Sequence, residues 1–221
     1  MRPVSSSLHR LRAAWRFFMN GWQNWDQTAS FVPSSRFLVD ALVQGADLAR
    51  ARNVIELGTG TGTVTEKLLG ALGPEARLYG VEIDGPLIEA TTRRLPDPRF
   101  VPIHGSAAEL VDLMAAAGCE GPVDAIVSCL GMSLLPPEVR DSVLTAAAKV
   151  LARGGVFVQY GYLHAHVVVY STSRGFSRFH LGEYLGRYFH AQRRQIVVAN
   201  LPPAEVLVCR GSIYAPMTAA A

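Results

Sequence analysis

Residues 54–62 have the sequence VIELGTGTG, and this stretch decides the fold of the chain. Its apolar first half predicts a buried strand, and the residues from Thr61 to Leu72 predict a helix directly after it. Glycines at every second position of the junction let a ligand lie against bare backbone, because a Cβ there would collide with the ligand. The stretch therefore predicts a strand, a ligand-binding turn and a helix in succession.

The chemistry of this junction suits an amino-acid zwitterion. The first N–H groups of a helix lack partners within the helix, so they bind a carboxylate or a phosphate. Glu56, at the end of the predicted strand, can accept a hydrogen bond from a ligand ammonium. S-adenosylmethionine carries both charged groups at its methionine end, which makes it a candidate ligand.

A second acid, Glu82, supports a nucleoside ligand. It ends the next predicted strand and lies 20 residues beyond Gly62, a spacing at which an acid meets a ribose in NAD sites as well as in S-adenosylmethionine sites. The glycine pattern separates the two ligands, because a dinucleotide site needs its third glycine at the position of Thr63. The E-x-G-x-G-x-G form instead resembles motif I of class I methyltransferases and predicts S-adenosylmethionine as the cofactor.

Strand and helix patterns alternate along the chain, which predicts a parallel sheet with helices on both faces. The predicted strands are Asn53–Leu57, Arg77–Val81, Phe100–His104, Val123–Ser128 and Gly154–Tyr162, and the predicted helices are residues 8–22, Arg36–Arg50, Thr61–Leu72, Pro86–Arg94, Ala107–Ala117, Pro137–Leu151 and Ser177–Phe189. Two last strands, Arg193–Ala199 and Glu205–Arg210, are joined by a short link that requires an antiparallel hairpin. The predicted fold class is α/β, with a Rossmann-like, seven-stranded class I methyltransferase sheet that ends in this hairpin.

The composition is that of a globular protein, since 49% of the 221 residues are hydrophobic and the net charge is only +3. No stretch reaches the roughly 18 uninterrupted apolar residues of a membrane span, and no signal peptide is evident. Three cysteines without zinc or redox spacing favour a reducing cytoplasm. His164 and His166 have no further metal-ligand neighbours, so we expect surface histidines and no metal site. We expect an amphipathic N-terminal helix in residues 1–30, a methyltransferase domain in 31–213 and a disordered tail in 214–221.

The first 30 residues predict a basic amphipathic helix. Apolar residues at steps of three and four form one face of residues 8–22, and Arg10, Arg12 and Arg16 lie on the remainder. Such a helix binds an anionic bilayer surface through charge and apolar burial. Two other interpretations stay open: an ordinary helix that covers one edge of the sheet, and phosphate contacts with nucleic acid, which the lack of a basic stripe elsewhere makes weaker.

Further motifs give the chain a resemblance to a known family from about Trp22 to Arg210. Besides residues 54–62, these motifs are Pro33-Ser34-Ser35-Arg36, Val81-Glu82, His104-Gly105-Ser106-Ala107, Ser128-Cys129-Leu130, Ser133-Leu134-Leu135-Pro136, Phe157-Val158-Gln159-Tyr160 and Asn200-Leu201-Pro202-Pro203-Ala204. With them, the chain resembles the bacterial phospholipid N-methyltransferases, which convert phosphatidylethanolamine stepwise to phosphatidylcholine. The resemblance implies that the N-terminal helix attaches the protein peripherally to the anionic inner face of the bacterial membrane.

The motifs and the resemblance together predict the site residues. The predicted cofactor contacts are Glu56, Gly58, Thr59, Gly60, Gly62, Glu82, Ile83, Ser106, Ala107 and Ser128. Tyr160 and Tyr162 are the predicted catalytic pair, because their ring faces can stabilise a cationic product at the ligand edge of the sheet; the alternative is that one of them packs in the core. The predicted substrate contacts are Trp25, Ser34, Arg174 and Arg178, of which the arginines hold a lipid phosphate or are solvated helix charges.

The chain departs from the family pattern in two loops. Ser106 stands where many relatives have an Asp that contacts adenine, and Gly131-Met132 stands where the family often has a Pro. Ribosomal-RNA adenine dimethyltransferases, which are sequence cousins, need an Asn-Leu-Pro-aromatic loop after the fourth strand to hold a flipped base, whereas this chain has Ser128-Cys129-Leu130-Gly131 there. Two further alternatives are a soluble small-molecule methyltransferase and a non-catalytic peripheral membrane protein of the same fold.

Overall fold

The computed structural model describes residues 35–167, 169–171 and 175–214. A seven-stranded sheet lies at its centre. Its strands are β1 (Asn53–Leu57), β2 (Arg77–Glu82), β3 (Phe100–His104), β4 (Val123–Ser128), β5 (Leu151–Tyr162), β8 (Phe189–Val197) and β9 (Ala204–Ser212). Their order across the sheet is β3-β2-β1-β4-β5-β9-β8. The first five are parallel and β9 is antiparallel to both of its neighbours, which confirms the predicted class I methyltransferase sheet.

Helices cover both faces of this sheet. They are α1 (Arg36–Gly45), α2 (Thr63–Ala71), α3 (Gly85–Arg94), α4 (Leu110–Ala116), α5 (Pro137–Val150) and α6 (Leu181–Leu185). Polar caps define two of their starts: Ser35 Oγ accepts from the N–H of Leu38 at 3.3 Å, and Asp84 Oδ1 accepts from the N–H of Leu87 at 3.0 Å. Among the helices of the described ranges, none is long and apolar enough to cross a bilayer.

The parallel strands bury apolar side chains on both faces of the sheet, as such sheets require. On one face, Val54 and Val127 pack in a cluster that includes residues of α1 and α2. On the other face, Ile55, Ile126 and Phe157 pack in a cluster with α4 and α5. Because both faces are closed by helices, the carboxyl ends of the strands are the open edge at which a ligand can bind.

The segment before β8 differs from the sequence prediction. Of the predicted helix Ser177–Phe189, only the five residues of α6 are α-helical in the structure. Strand β8 begins at Phe189 instead of Arg193. Phe189 is fully buried and stacks on Phe157 with the ring centroids 4.8 Å apart. Packing across the sheet therefore overrides the local helical pattern, which is only a weak preference.

The structure differs from the sequence prediction in two smaller respects. Helix α1 ends at Gly45, five residues before the predicted end, and Asp47 then adopts a left-handed φ of 52°. A Cβ on Gly45 would lie 2.8 Å from Val208, so the helix end packs directly against β9. The apolar run after β5 contains one strand of a small antiparallel pair, β6 (Val169–Ser171) with β7 (Gly175–Ser177), which the sequence did not predict.

Gly80 in β2 offers a test of this packing, because a Cβ there would lie 2.5 Å from the Phe100 ring and 2.7 Å from Thr59 Cγ2. We expect Gly80→Ala to lower the free energy of unfolding by about 1–3 kcal/mol, measured by urea denaturation. Gly70→Ala on α2 is the matched control, since a Cβ there meets nothing within 4 Å. The control should gain up to about 1 kcal/mol from helix propensity; equal stabilities of the two variants would contradict the packing argument.

Candidate active site

The carboxyl ends of β1, β2 and β4 meet at one edge of the sheet. Leu57 lies opposite Val81 on one side and Ser128 on the other. The backbone continues these ties past the strand ends: Gly58 N–H donates to Val81 O at 2.8 Å, and Cys129 N–H donates to Leu57 O at 2.8 Å. The loops that follow the three strands therefore start side by side.

The three glycines of the loop after β1 have different roles. All three have left-handed backbone, with φ of 80° at Gly58, 50° at Gly60 and 81° at Gly62, which favours glycine. A Cβ on Gly58 would lie 2.9 Å from Leu130, and one on Gly62 would lie 2.7 Å from Thr91. A Cβ on Gly60 would meet nothing within 4 Å. The packing of the protein requires the outer two glycines, whereas the middle one leaves space for a ligand.

Glu82 orders this loop with its carboxylate. Its Oε2 accepts from Gly60 N–H at 3.0 Å, and its Oε1 accepts from the N–H groups of Ile83 and Asp84 at 2.9 and 3.1 Å. The hydroxyl of Thr91 adds a second tie by donating to the Gly60 carbonyl at 2.9 Å. A carboxylate offers about four acceptor positions, so capacity remains for a ribose hydroxyl. The predicted ribose contact thus also shapes the glycine loop.

A cleft opens beside Glu82, and most of its wall is apolar. Its lining residues are Gly58, Val81, Glu82, Ile83, Gly105, Ser106, Ala107, Leu130, Val139 and Val143. An apolar slot next to a ribose-binding acid suits a flat adenine ring. Five of the ten predicted cofactor contacts line this cleft. The sequence analysis did not identify Leu130, Val139 and Val143 as site residues. They reach the cleft only through the packing of α5 and of the loop after β4.

Ser106 can donate a hydrogen bond at the position where many relatives have an Asp, which when ionised only accepts one. Its Oγ accepts from the N–H of Ala108 at 3.3 Å and so caps the short turn Ala107–Glu109. The hydroxyl proton remains to be donated, whereas an ionised Asp can only accept. At this position the chain can therefore donate to a ring nitrogen of adenine.

Buried polar atoms without partners gather near the ends of β1 and β4. Neither carboxylate oxygen of Glu56 has a hydrogen-bond partner among the described residues, and neither do the hydroxyls of Thr59 and Ser128. Burial, and to a lesser extent the charge of Glu82, raises the pKa of Glu56 to about 8. An unsatisfied buried polar group costs about 1–3 kcal/mol. These atoms fit a ligand that brings hydrogen-bond donors, as the ammonium of S-adenosylmethionine does.

Tyr160 and Tyr162 form an aromatic wall at the carboxyl end of β5. Their ring centroids are 5.6 Å apart in an edge-to-face arrangement, and His164 stacks on Tyr162 at 5.6 Å. Tyr160 Oη donates to the carbonyl of Cys129 at 3.5 Å, and burial raises the pKa of both tyrosines. Both are half-buried and pack on the core cluster of the α1 face. Each side chain therefore packs partly in the core, and its predicted contact with a cationic product stays a prediction.

His166 is not the simple surface histidine that the sequence suggested. Its Nε2 lies 2.5 Å from Oε1 of Glu205, whose side chain is only 2% exposed. Arg194 Nε donates to the other carboxylate oxygen at 2.6 Å. No signal in the sequence pairs these residues, because β8 and β9 bring Arg194 and Glu205 together only in the folded hairpin. Within the described part of the chain, no group of three or more His, Cys, Asp or Glu side chains is placed to hold a metal ion.

Several predicted substrate contacts lie outside the described residues, namely Trp25, Ser34 and Arg174, as does the predicted helix of residues 8–22. Arg178 is described and exposed, but it precedes α6 instead of lying on the predicted helix. Its assignment as a helix charge is therefore wrong, and its assignment as a phosphate contact stays a prediction.

Gly60 provides a direct test of the ligand space. We expect Gly60→Ala to weaken S-adenosylhomocysteine binding at least tenfold in calorimetry, because its Cβ points into the space left for the ligand. Gly118→Ala is a matched control, since Gly118 has a similar φ of 64° and also meets nothing within 4 Å. Both variants should lose about 1 kcal/mol of stability from left-handed strain. Unchanged affinity in Gly60→Ala would show that the ligand lies elsewhere.

The raised pKa of Glu56 predicts a pH dependence of stability. The folded state keeps the proton up to about pH 8 and the unfolded state loses it near 4.5, so unfolding releases a proton between these values. The free energy of unfolding should therefore fall as pH rises from 4.5 to 8, by on the order of 5 kcal/mol at about 1.4 kcal/mol per unit.

Urea denaturation at several pH values measures this slope in the unliganded protein. Glu56→Gln should remove the contribution of one proton from the slope, whereas Glu75→Gln, at an exposed position, should leave the slope unchanged. A Glu56→Gln curve parallel to that of the parent protein would mean that Glu56 is ionised in the folded state.

Comparisons with known proteins agree with this site. A family model described as a methyltransferase domain matches residues 54–155. An ornithine lipid N-methyltransferase from Singulisphaera acidiphila is 27% identical over 197 residues, which cover 89% of this chain and 93% of that protein. The structure of a DhpI–SAH complex is similar with a TM-score of 0.58 and 18% identity, covering 93% of this chain and 99% of that chain.

A putative rRNA methylase from Clostridium thermocellum also has a similar structure, with a TM-score of 0.52 and 19% identity over 85% of this chain and 99% of that chain. At such identities the structural likeness shows the fold and does not separate the substrates. The methyltransferase domain match, however, covers the glycine loop, both acids and the cleft beside Glu82. Residues 54–155 are therefore a methyltransferase domain, set in a sheet of the class I methyltransferase fold, and S-adenosylmethionine is its cofactor.

Proposed function

We propose that this protein methylates the amine of a membrane lipid, phosphatidylethanolamine and its partly methylated forms, while it is attached peripherally to the inner face of a bacterial membrane. The observation that carries the proposal is the similarity to an ornithine lipid N-methyltransferase along 89% of the chain. The resemblance of the loop motifs to phospholipid N-methyltransferases supports the same substrate class. The basic pattern of residues 8–22 supplies the expected attachment to anionic lipid.

The residues of the site have separate tasks in this reaction. Glu82 and the cleft beside it hold the ribose and adenine of the cofactor, and Gly60 leaves room for its methionine end. When bound, S-adenosylmethionine supplies a methyl group on a positively charged sulfur. Positioning an amine in line with that group accounts for much of the rate in such transfers. The attacking amine must be neutral, so it first gives its proton to water. The rings of Tyr160 and Tyr162 would then stabilise the cationic methylated product by roughly 0.5–2 kcal/mol.

This chain lacks the loop that is characteristic of rRNA adenine methyltransferases. The segment after β4 is Ser128-Cys129-Leu130-Gly131, without the Asn-Leu-Pro-aromatic sequence that holds a flipped base. The Asn200-Leu201-Pro202 sequence lies instead in the β8–β9 hairpin. A soluble amine substrate would need no bilayer attachment, so vesicle dependence separates it from a lipid substrate.

One experiment tests the proposal against these alternatives. Purified protein is given labelled S-adenosylmethionine and, in parallel, vesicles of phosphatidylethanolamine with phosphatidylglycerol, vesicles that contain ornithine lipid, ribosomal RNA, or free ethanolamine. We expect mono-, di- and trimethylated phosphatidylethanolamine to appear in that order on thin-layer plates, faster with more phosphatidylglycerol. Label in ribosomal RNA or in the soluble amine, with none in lipid, would overturn the proposal.

Tyr160 tests the role of the aromatic wall. We expect Tyr160→Ala to lower kcat on lipid about tenfold and to change S-adenosylhomocysteine affinity by less than about twofold, since the ring contacts the amine and not the cofactor. Tyr160→Phe keeps the ring and should retain most of the activity. Equal losses in both variants would place the contribution in the hydroxyl, which donates to Cys129 O.

A further inference from the structure

Exposed apolar side chains concentrate at one end of the sheet. Five of the seven large apolar residues that are exposed among the described residues lie at the turn end of the β8–β9 hairpin or on segments hydrogen-bonded to that end. They are Phe37, Val167, Ile196, Val198 and Leu201. Val198 and Leu201 are 76% and 72% exposed, and the turn between them and β9 adds Pro202 and Pro203. We call residues 198–203 the apolar tip.

Hydrogen bonds hold the apolar tip in one conformation. Asn200 is only 3% exposed; its Oδ1 accepts from Ser35 N–H at 3.0 Å, and its Nδ2 donates to Pro202 O at 2.7 Å. Leu163 N–H donates to Pro203 O at 3.0 Å. The polar residue of the turn thus points inward and the apolar residues point outward. This arrangement is the reverse of an ordinary surface turn, whose polar side chains face water.

The apolar tip projects from the same edge of the sheet as the active site. Ala204, the first residue after the tip, lies opposite Tyr162 in the antiparallel register. The start of α1 is tied to the tip through Ser35, and there Arg36 lies over the ring of Phe37 at 4.9 Å. Glu205, the acid that follows the tip, is buried and paired with Arg194 and His166. The surface around the tip is therefore apolar with an exposed cation beside it.

We propose that the apolar tip inserts into the boundary between the headgroups and the acyl chains of an anionic bilayer. Phe37 lies alongside in this arrangement, with Arg36 at the headgroups. The inference rests on the proposed function, because a lipid substrate requires the ligand edge to face the membrane. A projecting turn suits a bilayer, which takes up protruding apolar side chains without a shaped pocket, and the cation of Arg36 is complementary to anionic lipid. Insertion would bring the Tyr160–Tyr162 wall to the depth of the lipid amines.

The double variant Val198→Ser with Leu201→Ser tests this contact in the full chain. Vesicles of phosphatidylethanolamine and phosphatidylglycerol are sedimented with each protein, and methylation of the same vesicles is measured. We expect vesicle affinity to fall about tenfold and turnover on vesicles to fall with it. S-adenosylhomocysteine affinity should be unchanged, and turnover on a short-chain phosphatidylethanolamine below its micelle concentration should stay within about twofold. The matched control is Val111→Ser on α4, an apolar side chain that is 42% exposed away from the tip.

The outcomes separate this inference from the proposed function. Unchanged vesicle binding by the double variant, with lipid methylated as before, would overturn the inference and leave the function standing. Unchanged vesicle binding with new protease cleavage in residues 1–34 would show that this segment covers the tip, which also overturns the inference. Vesicle binding that depends on the tip, in a protein that methylates no lipid, would support the inference and overturn the proposed function.

Discussion

The carboxylate of Glu82 is the interaction on which the site depends. It ends β2, yet it accepts hydrogen bonds from the loop after β1 and from the first residues after its own strand. Charge-assisted hydrogen bonds of this kind are the stronger ones in proteins. Without them, Gly60 would lose the hydrogen bond to its N–H and keep the one from Thr91 to its carbonyl, and the cleft would lose one wall. A single acid therefore fixes the shape of the cofactor site and provides its ribose contact.

The sequence predicted the parallel half of the fold closely. The bounds of β1, β3 and β4 agree with the prediction at both ends, because buried parallel strands are continuous apolar runs that end at glycine or polar residues. The chain after β5 was harder, since α6, β6 and β7 are elements of only three to five residues, too short to show a clear period. The stacking of Phe189 on Phe157 shows the cause: the partner lies 32 residues away, and local periodicity carries no information about it.

The same limit applies to the site. Glycines and acids at fixed spacing identified the loop and Glu82, because the chemistry of the cofactor dictates those residue types. The sequence predicts a cofactor contact at each of the three glycines, whereas in the structure a Cβ on Gly58 or Gly62 would collide with the protein and only one on Gly60 would be free of contacts. Leu130, Val139 and Val143 could not be identified, since apolar residues of a loop and a helix have no mark that distinguishes a cleft wall from ordinary core.

Glu56 and the apolar tip are both exceptions to the rule that polar side chains are exposed and apolar side chains are buried. Each breaks the usual distribution of side chains, a carboxyl without partners inside and bulky apolar groups outside, and each is costly in the free protein. Such costs are offset when a ligand with donors meets the carboxyl and an apolar phase meets the tip. Both irregularities lie near the carboxyl edge of the sheet. The proposed function requires a charged cofactor and a membrane lipid to meet at that edge. The buried carboxyl of Glu56 suits the cofactor, and the exposed apolar tip suits the lipid.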